Sequence, residues 1–205
     1  MITSKQQNIF DSAKYLFAAK GYDGVSMRAL ARAAEVSLSA TYTYYADKNV
    51  LLKSIFDETN SLLGHERLLL APAQNMSEAL KQRLYFQFDH IEEVVFVLKY
   101  YLHFRDTFAP HEHGYLPAKA TAHIEEVLTL GEATGELSKN IDVVREAKVI
   151  THTINGFLLE IYPATPGEQE KQSIIDDLHN FIMRSIIARP SDSSYVAATK
   201  GVSMS

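Results

Sequence analysis

Between Val25 and Lys48 the chain collects side chains suited to hydrogen bonding: Ser26, Arg28, Ser37, Ser39, Tyr42, Thr43, Tyr44 and Lys48. Small hydroxyls and flat phenols of this kind reach phosphates and base edges. A helix that carries them without aliphatic bulk on the same side is narrow enough to enter a major groove.

Two short helices must position these groups. Ser26 is placed to cap the first, with Val25 and Leu30 able to form a hydrophobic staple across its entry. Met27, Leu30, Ala31 and Ala34 fall on one face at spacings of three and four, leaving Arg28 and Arg32 on the other. After a four-residue break Ser37 starts the second helix, whose outward face would carry Ser39, Thr43, Tyr42 and Tyr44, with Tyr45 turned inward. Asp47 is a good cap for a third helix and puts Lys48 in its first turn. There the helix dipole disfavours a cation by ~0.3 to 1 kcal/mol. A phosphate docked at that terminus would reverse the sign.

This segment resembles the TetR family of bacterial transcriptional regulators. The resemblance runs from Ile9 to Leu52 through Ile9, Ala13, Leu16, Phe17, Gly21, Tyr22, Ser26, Leu30, Ala31, Ala34, Val36, Ser37, Tyr42, Tyr44, Tyr45, Lys48 and Leu51. It implies an all-α chain with an amino-terminal three-helix helix-turn-helix domain and a carboxy-terminal helical domain that binds an effector and dimerises. Three positions depart from the family pattern. Glu35 stands where glycine is usual in the turn, Ser39 replaces a common glycine, and Thr41 replaces an aliphatic residue. A glutamate forced to positive φ costs ~1 to 2 kcal/mol, so the turn is expected to be strained or reshaped.

Composition agrees with a globular protein. The 205 residues are 46% hydrophobic and 22% charged, with no cysteine and no run of apolar residues long enough to span a bilayer. Disulfides, zinc-thiolate sites and iron–sulfur clusters are excluded, and with no signal-peptide pattern at the amino end the expected location is cytoplasmic. The net charge of −5 is unevenly spread: residues 1–53 hold seven lysines and arginines against four acids, a net +3 that leaves −8 on the remainder. A basic head on an acidic body can meet DNA while the body stays off the phosphates.

Along the chain, Ser4 with Gln7 reads as a capping box for a first helix that ends at Gly21. A long fourth helix from Lys48 to about Leu70 would connect head and body and act as the lever between them. Asn75 with Glu78 and Asp89 with Glu92 are further capping boxes dividing residues 76–108 into two helices, and 110–117 reads as a loop. A seventh helix starts at Pro117, with Gly131 and Gly135 marking its end. Asp142 opens an eighth, and Thr165-Pro166-Gly167-Glu168 reads as cap, proline at N1 and acid at N3 of a ninth. The expected domains are 1–47 for DNA binding, 48–190 for effector binding and dimerisation, and a disordered tail over 191–205.

The body offers two kinds of surface. Phe86, His90, Phe96, Tyr100, His103, Phe104, Thr107, Phe108, Tyr115, His123 and Asn155 are candidates for an effector site, since a mostly apolar cavity with a few orienting polar tips is how small-molecule sites are built. The last two helices carry more apolar positions than one face needs, so Ile154, Phe157, Leu158, Ile161, Ile174, Leu178, Phe181 and Ile182 are the expected homodimer seam. No metal or other cofactor is expected. His111, Glu112 and His113 alternate in a loop flanked by proline and glycine, where polar residues need no special cause. The phosphate-loop, nucleophile-elbow and zinc-protease motifs are missing, so an enzyme is not expected. A metal-dependent helical-bundle hydrolase using His111, His113 and His123 is the competing reading.

The expectation is therefore a homodimer on a palindromic double-stranded operator, most simply a repressor released by a small-molecule effector and not bound to a membrane. Arg28, Ser39 and Thr43 would face base edges, while Ser26, Ser37, Tyr42, Tyr44 and Lys48 would hold phosphates.

Overall fold

The computed structural model describes residues 4–68, 70–104, 116–137, 141–164 and 166–187. Among the described residues there are nine helices and no strand: α1 (Ser4–Lys20), α2 (Met27–Ala33), α3 (Leu38–Tyr44), α4 (Lys48–Leu68), α5 (Met76–Asp89), α6 (Ile91–Phe104), α7 (Leu116–Thr134), α8 (Val143–Ile161) and α9 (Glu168–Ile187). None of them is long and apolar enough to cross a membrane. Thr107, Phe108, His111, His113, Tyr115 and the 191–205 tail, all singled out from sequence, lie outside the described residues.

Most helix ends follow from local chemistry. Gly21 closes α1 at φ +71, its N–H donating to the Phe17 carbonyl at 2.9 Å. At the start of α5 the Asn75 side chain accepts from the Glu78 N–H at 2.9 Å, and Glu78 reaches back to the Gln74 N–H. Asp142 accepts from the Arg145 N–H at the start of α8. Two expected starts differ. Ser4 is already inside α1, and Gln7 donates forward to Asp11 at 3.0 Å instead of closing a capping box. At α9 the Lys171 N–H bonds the Gly167 carbonyl, so the helix begins at Glu168 and Pro166 precedes it. Proline's fixed φ suits the approach to a helix as well as its first position.

The residues form two compact units. The first gathers Met1–Ala71, Phe86–Leu116 and Asn155–Thr165, so it runs past residue 47 and holds α1 to α4 together with α6. Its core is Ile9, Ala13 and Phe17 of α1, Leu30 of α2, Leu51 and Ile55 of α4, and Val95 and Phe96 of α6, all nearly sealed from solvent. Both α1 and α4 rest on α6. Two lysines fix α1 there: Lys14 donates to Glu93 at 2.7 Å with Glu92 at 3.7 Å, and Lys99 donates to the Ala18 carbonyl. Burial pushes the Lys14 ammonium down, but the hydrogen bond and charge of Glu93 outweigh it and leave the group above its ordinary value. Glu93 shows the mirror effect: burial raises it, the Lys14 bond lowers it further, and it ends below the usual carboxylate range.

The second unit comprises Pro72–Tyr85, Pro117–Ile154 and Pro166–Ser205. Its joint is the start of α5, where the Glu136 carboxylate accepts from the Met76 N–H at 2.6 Å and the Ser77 N–H at 3.2 Å. An acid at that terminus satisfies two orphan donors and complements the helix dipole. The approach is close: a Cβ on Gly131 would stand 2.5 Å from the Met76 sulfur and 3.0 Å from Leu137 Cγ. From the other side the buried His179 ring meets Ser77, Nε2 to Oγ at 3.1 Å.

The turn between α2 and α3 carries the expected strain. Glu35 has φ +56, the only non-glycine residue described there with a positive value, while the N–H of Val36 still reaches the Ala31 carbonyl. Its side chain is exposed, so glutamate is replaceable without loss of packing. Relief of ~1 to 2 kcal/mol of strain, less ~0.4 to 1 kcal/mol for the added freedom of the unfolded chain, gives Glu35→Gly a net gain of about 0 to 1.6 kcal/mol, centred on ~0.8 kcal/mol. Urea denaturation monitored by circular dichroism checks this, and a loss of stability would show that the turn is not strained.

Candidate nucleic-acid interface

The two short helices are built as their serines dictate. Ser26 has extended backbone and accepts from the Ala29 N–H at 3.2 Å, and Ser37 does the same for Ala40 at 3.1 Å. Each hydroxyl oxygen spends a lone pair on its cap and keeps its hydrogen for another acceptor. The inner side of the pair is closed by Val25, Leu30 and Ala34, with Tyr45 almost sealed as expected. Thr41, at the position where an aliphatic residue is usual, is fully buried and satisfies its hydroxyl on the Ser37 carbonyl at 3.2 Å. A threonine inside a helix can therefore replace the aliphatic residue without leaving an unpaired group.

The outer side is polar. Ser26, Arg28, Ser37, Ser39, Tyr42 and Thr43 are exposed, Tyr42 by 49%, and Tyr44 and Lys48 are half-buried. Ser37 and Ser39 Oγ lie 3.0 Å apart, and Thr43 donates to the Ser39 carbonyl at 3.0 Å. This leaves a face of hydroxyls and one projecting phenol.

Lys48 has a more defined setting than its sequence position suggests. Its ammonium donates to the carbonyls of Tyr22 and Val25, both at 3.0 Å, and lies 3.6 Å from the centre of the Tyr22 ring. Asp47 caps the same helix by accepting from the Val50 N–H at 2.8 Å. The α1–α2 turn is thus tied to the first residues of α4, with one ammonium proton left over. The His103 imidazole stacks on the same Tyr22 ring, its centroid 4.3 Å away. Phe104 meets the Tyr22 edge at 5.6 Å, and the Tyr22 hydroxyl donates to Asn49 at 2.6 Å. Burial pushes the Tyr22 phenol above its ordinary value, helped by the charges of Asp23 and Asp47. Sequence reasoning assigned no role to Tyr22 or Asn49. The available signal was an aromatic residue directly after the glycine that ends α1.

The effector candidates are partly gathered. Tyr100 stacks on Phe56 at 4.2 Å, with Phe104 at 4.8 Å and Phe96 at 6.4 Å, and burial pushes its phenol up to about 12. Phe86 stands 4.7 Å from His90, and Asn155 is buried. His103, expected beside them, turns to Tyr22 and lies 3.9 Å from the Asp23 carboxylate. His123 belongs to the second unit and meets Glu126 at 3.0 Å. Among the described residues no group of three potential metal ligands is found.

The expected dimer residues divide by burial. Ile154, Leu158, Leu178 and Ile182 are between 0% and 6% exposed and are covered by their own chain. Phe157 and Phe181 are exposed, and Ile161 and Ile174 are intermediate. An apolar stripe read from sequence merges the inner face of a helix with its outer edge, and only packing separates them.

Residues 9–55 match the family described as bacterial regulatory proteins, tetR family. The A-factor receptor protein of Streptomyces griseus is 25% identical over 181 residues, a match that takes in 88% of this chain and 63% of that protein's length. Among solved structures, a regulatory protein of the tetR family from Rhodococcus RHA1 superimposes with a TM-score of 0.66 at 18% identity, over 90% of this chain and 97% of the other. AibR, solved with isovaleryl coenzyme A and operator DNA, gives 0.62 at 21% identity, over 86% and 97%. Residues 9–55, which take in most of α1, all of α2 and α3 and the start of α4, are thus similar to the amino-terminal domain of the tetR family of bacterial regulatory proteins.

Proposed function

We propose that the protein is a ligand-responsive transcriptional regulator that binds a palindromic operator as a homodimer and is released from it by a small organic effector. The observation that carries this reading is the hydroxyl-lined outer face of α3, left exposed by two serine caps inside a segment that matches a family of regulators. A twofold dimer would present its two α3 helices to successive major-groove faces, ~34 to 36 Å or a multiple apart. Arg28, Ser39 and Thr43 would meet base edges. Ser26, Ser37, Tyr42, Tyr44 and Lys48 would meet phosphates. Two of the similar proteins, the A-factor receptor protein and AibR in complex with isovaleryl coenzyme A and operator DNA, support a small organic effector.

Release requires the effector to bind better to a dimer whose heads are wrongly spaced, since equal affinity for both states shifts nothing. The long α4 remains part of that lever, but α6 supports it. Both α1 and α4 rest on α6, which also carries Phe96, Tyr100 and Phe104 of the effector candidates and His103 against Tyr22. An effector that moved the carboxy-terminal end of α6 would therefore move the Tyr22 stack.

Three outcomes test this reading. Tyr42→Phe removes one phosphate donor per subunit without touching the core, and each lost hydrogen bond is worth ~0.5 to 1.5 kcal/mol. Affinity for genomic operator fragments should fall several-fold in fluorescence anisotropy with the thermal midpoint unchanged, and equal affinity would remove Tyr42 from the interface. Lys48→Ala should weaken binding to all sequences alike and reduce the slope of log K against log salt by about one per subunit. An unchanged slope would restrict Lys48 to its bonds with Tyr22 and Val25. Lys14→Met frees α1 from Glu93. Affinity for the full palindrome should drop about tenfold, or 1.4 kcal/mol, while a duplex carrying one half-site binds as before. Equal losses on both duplexes would mean that Lys14 serves folding of the head and not its placement.

A further inference from the structure

Among the described residues Glu35 is the only one other than glycine with a positive φ, and the fold makes no use of its side chain. That side chain is exposed, and among the described residues its carboxylate has neither an ion pair nor a hydrogen bond. It stands between the carboxy end of α2, whose dipole disfavours an acid, and the amino end of α3, whose dipole favours one, so its charge brings the two helices little. The backbone around it is held: the Glu35 N–H donates to the Arg32 carbonyl at 3.2 Å and the Val36 N–H to the Ala31 carbonyl at 3.0 Å. Two residues on is Ser37, the cap of α3, so the Cα atoms of Glu35 and Ser37 lie within about 7 Å of each other. Strain kept at a position with no stabilising role points to a use for the side chain.

We propose that Glu35 is a specificity determinant, its carboxylate accepting a hydrogen bond from the exocyclic amino group of a cytosine in the major groove. The proposal rests on the operator-binding reading above and adds to its hydroxyls, phenols and cations the one group that can only accept. Residues at the amino end of the reading helix of a helix-turn-helix reach base edges. On the major-groove edge of a C·G pair, cytosine N4 is the donor that an ionised carboxylate needs. Adenine N6 is a donor too, but it lies between two acceptors, its own N7 and thymine O4, which disfavour an anion; cytosine N4 has an acceptor on one side only. Phosphates repel the same carboxylate. With Arg28 and Arg32 exposed on α2, it therefore lowers the attraction of the head for duplexes in general and is compensated only where the amino group is present. Specificity is a difference of affinities, and Glu35 acts on both sides of that difference.

Selection of bound duplexes from a randomised library, long enough for two half-sites, tests this with the unaltered chain, Glu35→Gly and Glu35→Gln. The unaltered protein should enrich a cytosine at one position of each half-site, and exchanging that C·G pair should cost it about tenfold in affinity by fluorescence anisotropy. Both variants should select the same half-sites without that preference, lose little on the exchange, and bind unrelated duplexes several-fold more tightly at low salt. Glu35→Gly relaxes the turn and Glu35→Gln keeps its strain, so a loss shared by both belongs to the carboxylate and not to the backbone. Retention of the cytosine preference by either variant, a uniform change over all duplexes, or no selected cytosine in the unaltered protein would overturn the role of Glu35 while operator binding stands. A library from which the unaltered protein enriches nothing would overturn operator binding itself and this role with it.

Discussion

The Tyr22 ring meets both the Lys48 ammonium, 3.6 Å from its centre, and the His103 imidazole, stacked at 4.3 Å. One neighbour belongs to the first turn of α4 and the other to the end of α6, so a single side chain in the α1–α2 turn joins the helix-turn-helix to the helix beneath it. A lysine at the start of a helix is disfavoured by the dipole. Here two turn carbonyls and a ring face compensate for that, and α3 then projects from a base fixed on one side by Lys48 and on the other by Lys14 of α1 and Lys99 of α6. The hydroxyl face of α3 has a defined direction because its support is fixed.

The same arrangement explains how a helical body could influence a distant reading face. Packed aromatic groups have discrete arrangements, and a change at one end of α6 cannot be absorbed without a change at the stack. Tyr100, one turn of helix from His103, packs on Phe56 and against Phe104, which makes the effector candidates and the head neighbours on one element. The half-buried acid–base pair at Lys14 and Glu93 has a different part. Each group holds the other charged against the cost of burial, and that ties α1 to α6 at one register.

Much of this was legible before any coordinates. Serine caps, the glycine after α1 and the inward Tyr45 follow from local rules that act within a few residues, and each appears in the structure. The glutamate in the turn is legible for the same reason: a position that wants positive φ keeps it whatever residue stands there, and Glu35 adopts φ +56. What stayed hidden depends on partners far apart in sequence. Tyr22 and His103 are 81 positions apart, and Glu136 caps a helix that begins 60 residues earlier. Lys48 shows the limit most plainly. From sequence its only visible partner was a phosphate, because the two carbonyls it bonds lie more than 20 residues back. Burial likewise separated the apolar residues of α8 and α9 into an inner set and an outer edge that periodicity had merged.

The central claim is that the exposed face of α3 lies in the major groove of a duplex, twice per dimer. Protection of guanine N7 from methylation on a captured genomic fragment measures this directly, because that atom lines the major groove. The account predicts two protected patches related by a twofold, separated by about 10 base pairs or a multiple of that. Guanine N7 left fully reactive across the bound fragment, or a single protected patch at saturating protein, would contradict it.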